Sequence, residues 1–89
     1  MTYQDFKTQC EEYLPTVGAK NIQPEAILNL SGIVYKCRFT IGDDFFVLTC
    51  NRFGIMRLRK NEDLVAEIGH VYIKNCLDRY FESEANKDA

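Results

Sequence analysis

From Ile33 to Ile41 the side chains alternate with a period of two. Ile33, Tyr35, Cys37, Phe39 and Ile41 fall on one side, and Val34, Lys36, Arg38 and Thr40 on the other. Successive strand residues point to opposite faces, so this pattern predicts a strand with one buried face and one wet face. The pattern resumes twice: "FFVLTCN" follows "GDD", and "IMRLRK" follows "RFG". Such runs, separated by short turn-forming stretches, specify an antiparallel meander.

Burial sets the expected registers. Pairing Ile41 with Phe46 across an Asp43-Asp44 turn places Phe39 opposite Leu48 and Cys37 opposite Cys50. A slip of one residue would instead bring Arg38 among apolar partners, which burial forbids. In the second hairpin, Arg52-Phe53-Gly54 forms a three-residue loop with Gly at the left-handed position. Asn51 then faces Ile55, Cys50 faces Met56 and Leu48 faces Leu58. Both hairpins sort the side chains alike. One face collects Tyr35, Cys37, Phe39, Ile41, Phe46, Leu48, Cys50, Met56 and Leu58, and the other carries the polar residues and cations.

The flanks read as helices. Tyr3, Phe6, Cys10, Tyr13 and Leu14 recur at helical spacing over residues 2–14, Thr2 and Asp5 form a capping box, and Pro15 forbids continuation. "TVGAKNIQ" reads as a connector. Residues 23–30 admit two readings, a short helix opened by Pro24 or a strand "AILNL", and the strand is preferred. Asp63 to about Glu82 reads as a long C-terminal helix capped by Asn61 or Asp63. Leu64, Val65, Ile68, Val71, Tyr72 and Cys76 form its main stripe; Ile73, Leu77, Tyr80 and Phe81 widen it. The expected fold is α+β: an N-terminal helix, a three- to four-stranded antiparallel meander and a long C-terminal helix, with both helices packed on one face of the sheet. Residues 1–84 are expected to form a single domain and 85–89 a flexible tail.

Most catalytic classes lack a signature here. His70 is the only histidine and has no nominated nucleophile beside it. Asp43 and Asp44 suit a hairpin turn better than a carboxylate pair. Cys10, Cys37, Cys50 and Cys76 have neither metal-knuckle nor redox spacing and read as small buried hydrophobes. The expectation is a non-enzymatic protein with no cofactor and no metal. An N-terminus that is charged throughout, and the absence of a long apolar run, point to the cytoplasm.

Charge supplies the functional lead. Residues 33–60 hold six basic and two acidic side chains, although the whole chain carries a net charge of −2. The register gathers Lys36, Arg38, Arg57 and Arg59 on the wet face, with no acid among them, Lys60 at its edge and Arg52 at the hairpin tip. The ordinary reading of such residues is a solvated face whose charges deter aggregation. The functional reading is a protein-binding domain, an inhibitor of phage or mobile-element type or an assembly subunit. It would hold an acidic protein surface through this face, with Phe53 as an aromatic anchor. Two alternatives stand beside it: nucleic-acid binding by the same face, and a homodimer through Ile73, Leu77, Tyr80 and Phe81. No membrane partner is expected. The acids of the last segment, Asp63, Glu67, Asp78, Glu82 and Glu84, are interspersed with Lys74 and Arg79 and read as a solvated helix face.

Overall fold

The structure is a computed structural model that describes residues 2–30, 32–69, 77, 78 and 80. Helix α1 spans Tyr3–Tyr13 and tightens into a 3-10 turn over Leu14–Val17. Five strands follow: β1 (Lys20–Asn29), β2 (Gly32–Ile41), β3 (Asp44–Cys50), β4 (Ile55–Lys60) and β5 (Asp63–Gly69). They form one antiparallel sheet in the order β1-β2-β3-β4-β5.

The start of α1 follows its sequence signal. Thr2 Oγ1 accepts from the Asp5 N–H at 3.1 Å, and Asp5 Oδ2 accepts from the Thr2 N–H at 3.2 Å. Two otherwise orphaned donors are thereby satisfied. Phe6, Cys10 and Leu14 are fully buried against the sheet.

β1 begins at Lys20, inside the segment read as a connector. A bulge between Lys20 and Gln23, with Asn21 at φ 56°, hides its alternation. Pro24 is tolerated because β1 is an edge strand; its carbonyl accepts from the Tyr3 hydroxyl at 3.2 Å.

In the β2–β3 hairpin Ile41 faces Asp44, Phe39 faces Phe46 and Cys37 faces Leu48. The turn is Gly42-Asp43, with Gly42 at φ 60°. This differs from the expected register by two residues, an even slip that leaves every side chain on its expected face. The β3–β4 hairpin has the expected register, Leu48 opposite Leu58 and Cys50 opposite Met56. Gly54 takes φ 80°, and its N–H donates to the Asn51 carbonyl at 3.0 Å.

The end of the chain departs from expectation. Residues 63–69 form a fifth strand where a helix start was expected, and no long C-terminal helix is seen among the described residues. Lys60 faces Asp63 across a two-residue turn, Asn61 (φ 49°) and Glu62 (φ 77°), the double positive φ of a type I′ hairpin. The Asn61 side chain does not cap a helix. Its Oδ1 accepts from the Phe45 N–H at 2.9 Å, and its Nδ2 donates to Asp44 at 3.0 Å. A bulge between Leu58 and Arg59 sets Leu58 opposite Ala66 and Arg59 opposite Leu64, leaving Val65 as the extra residue. That insertion turns a period of two into steps of one, three and four, which imitate a helix.

Leu77, Asp78 and Tyr80 have helical backbone, and Leu77 and Tyr80 are buried. The arrangement is therefore α1 with these residues on one face of a five-stranded sheet, in place of two helices on a three- to four-stranded one. The Tyr13 hydroxyl donates to Asp78 Oδ1 at 2.6 Å and ties the two coverings together. Between them and the sheet, Phe39 and Phe46 stack at 5.2 Å and Tyr80 meets Phe46 edge-on at 5.9 Å. His70, Ile73, Cys76 and Phe81, with the tail 85–89, lie outside the described residues.

Candidate functional site

The sheet's other face is uncovered among the described residues, and its side chains stand in rows across the strands. One row runs Glu25, Lys36, Thr49, Arg57, Glu67 from β1 to β5. The next runs Gln23, Arg38, Val47, Arg59, Leu64. The four expected cations thus occupy the corners of a rectangle on β2 and β4. It measures roughly 10 Å across and 7 Å along the strands, from standard strand spacing and rise. Val47 and Thr49 form its floor.

This face is not free of acids, contrary to the sequence expectation. Glu25 and Glu67 flank it from the edge strands β1 and β5. Arg38 Nη2 lies 3.1 Å from Glu25 Oε1, and Arg57 Nε lies 2.6 Å from Glu67 Oε2. Both pairs are solvent-accessible, so each contributes about 0–1 kcal/mol. Lys36 and Arg59, on opposite corners, make no ion pair among the described residues. Lys60 does not border this face. It stands opposite Phe46 on the core side, its amine 3.6 Å from Asp44 Oδ2 and 6.0 Å over the Tyr80 ring.

A second surface lies at one end of the sheet. Phe53, in the β3–β4 loop, is 65% exposed, and the Arg52 guanidinium sits 4.7 Å from its ring centroid. Arg52 also leans on the neighbouring hairpin, its Cδ 3.5 Å from where a β-carbon on Gly32 would stand. Between the two hairpins is an open pocket of about 350 Å³ lined by Ile33, Tyr35, Cys50, Asn51, Arg52 and Gly54. Leu28, Leu30 and Ile33 are exposed beside it. The sequence places Arg52 and Phe53 at this hairpin tip, but its strand alternation does not single out the three aliphatic residues beside them. The available signal was "AILNLSGIV", a run apolar on both alternation phases, which no single buried face explains.

The remaining candidates serve the core. Cys10, Cys37 and Cys50 are buried free thiols. A hydrogen bond to Cys37, together with burial, pushes the Cys10 thiol above its ordinary range, and burial does the same to Cys50. Cys10 and Cys50 are therefore poor nucleophiles, whereas the hydrogen bond with Cys10 lowers the buried Cys37 thiol. Leu77 and Tyr80, half of the expected dimer face, pack into the core. Among the described residues no group of His, Cys, Asp or Glu is placed to hold a metal ion, and no helix is long and apolar enough to cross a membrane. The chain matches no protein family, no curated protein and no solved structure.

Proposed function

We propose that the protein is a non-catalytic binding domain that holds an acidic surface of another protein against the uncovered sheet face. The observation that carries this reading is the state of Lys36 and Arg59. Each stands in the interior of the face, on β2 and β4, without a carboxylate partner among the described residues, while Arg38 and Arg57 beside them are already paired. A partner carboxylate reaching either residue gains a charge-assisted hydrogen bond without breaking an existing pair. Val47 and Thr49 between the corners offer a small, half-buried floor on which such contacts lose water. Arg38 and Arg57, held in place by their glutamates, steer the approach.

Nucleic acid is the second reading, and Phe45 favours it. This residue faces Thr40 on the same side of the sheet and is 44% exposed, so it offers one stacking platform. A single platform at the rim, with glutamates on both flanks, supports phosphate-backbone binding less well than carboxylate binding.

The experiment is quantitative affinity capture from the native host, paired with fluorescence anisotropy on a single-stranded oligonucleotide. Lys36→Glu/Arg59→Glu abolishes capture of a specific partner retained by wild type, while oligonucleotide affinity stays negligible for both. Equal retention by wild type and variant contradicts the proposal. Oligonucleotide binding that falls steeply with salt and vanishes in the variant transfers the face to nucleic acid.

A further inference from the structure

The β1–β2 hairpin is longer than the sheet it belongs to. The last β2–β3 pair is Tyr35 with Cys50, so residues 27–29 and 32–34 pair only with each other. A two-stranded ribbon is marginally stable in water by itself. This one also carries apolar side chains on both faces: Leu28 and Ile33 towards the core side, Ile27 and Val34 towards the open side. Leu28 is 80% exposed, and Leu30 at the tip is fully exposed.

Leu28, Leu30 and Ile33, with Phe53 on the far side of Arg52, expose in sum about three whole large side chains, on the order of 500 Å² of apolar surface. A typical monomer's largest apolar patch is about 300–600 Å² and is often functional. We infer that this end of the sheet is a docking surface for a second copy of the same chain, the tip of each hairpin seating in the partner's pocket beside Arg52.

Two observations select a second copy as the occupant. The patch holds both halves of a contact: a projecting knob, Leu30, and a pocket of about 350 Å³ walled by Ile33 and Tyr35. A twofold axis brings knob to pocket twice in one operation, which is the geometry of an isologous dimer. The area also fits. Two such patches bury about 1,000 Å², the lower limit for a specific interface, which places the dimer in the weak, reversible class. The contact covers the core-side face and the tip of the projecting ribbon and so stabilises the segment that is least supported within one chain.

This inference does not depend on the proposed role of the basic face. Its test is sedimentation equilibrium from low micromolar to sub-millimolar concentration on wild type, Leu30→Asp and Leu30→Ala. Wild type shows a monomer–dimer equilibrium that strengthens in sulfate. Leu30→Ala weakens the dimer about tenfold, as loss of a central apolar contact does, and Leu30→Asp is monomeric throughout. Because Leu30 contacts nothing that buries it, both variants keep the wild-type circular dichroism spectrum. Lys36→Glu/Arg59→Glu dimerises as wild type does. A wild type that stays monomeric at the highest concentration overturns the inference, as does a dimer unaffected by either Leu30 substitution.

Discussion

Tyr13 shows how one hydroxyl can join distant parts of this chain. Its 2.6 Å hydrogen bond to Asp78 spans 65 positions of sequence. Burial and that carboxylate together push the Tyr13 hydroxyl up to about 12. In the unfolded chain it ionises near its ordinary value of 10.0, so the folded state retains the proton over a wider range. The associated stability is complete below about pH 10 and is lost as the pH rises towards 12. Tyr13→Phe therefore lowers stability by about 1 kcal/mol at neutral pH. It also flattens the decline between pH 10 and 12 relative to wild type. Urea titrations of both proteins across that range measure the difference. Parallel curves would mean that the bond does not hold the covering residues to α1. Other residue-scale features were plain in the sequence. Thr2 and Asp5 announced their capping box because its two bonds are local, whereas the Tyr13–Asp78 bond requires a tertiary placement that spacing does not encode.

Among the elements, β5 carries the sharpest lesson. Its two concealing features, a Gly-free Asn61-Glu62 turn and the Val65 bulge, are each local departures from the ideal hairpin. "NEDLVAEI" carries cap residues, early acids and apolar steps of three and four, all genuine helix signals; pairing with β4 outweighs them. Glu62 at φ 77° sits where an L side chain is strained by about 1 kcal/mol. Glu62→Gly relieves that strain and raises the melting temperature by about 4–8 °C per kcal/mol gained. Were residues 63–69 the first turns of a helix, the same substitution would remove a favourable acid from its N-terminus and lower the melting temperature. Differential scanning calorimetry distinguishes the two outcomes. The central strands were legible because β2, β3 and β4 have wet and dry faces of ordinary composition. β1 was half-legible, since its Asn21 bulge interrupts the alternation before Pro24.

At the scale of the whole molecule, the candidate surface was partly readable. Lys36, Arg38, Arg57 and Arg59 share one face because even the mistaken β2–β3 register slipped by two residues. The acids on that face are not legible in the sequence, because Glu25 and Glu67 belong to the two edge strands, whose bulges interrupt the alternation. The resulting pattern is a cationic interior with acidic flanks, in which two cations are already satisfied and two are open. The apolar end of the sheet is a separate surface with opposite salt dependence, so contacts made by the two are separable in one titration series. The most direct measurement of the central claim is the mapping of backbone and side-chain NMR shifts as polyglutamate is added at low salt. The account predicts saturable shifts centred on Lys36, Val47, Thr49 and Arg59, absent from α1 and lost in Lys36→Glu/Arg59→Glu. Shifts spread evenly over all cations, or centred on Lys7 of α1 on the opposite side of the sheet, would contradict it.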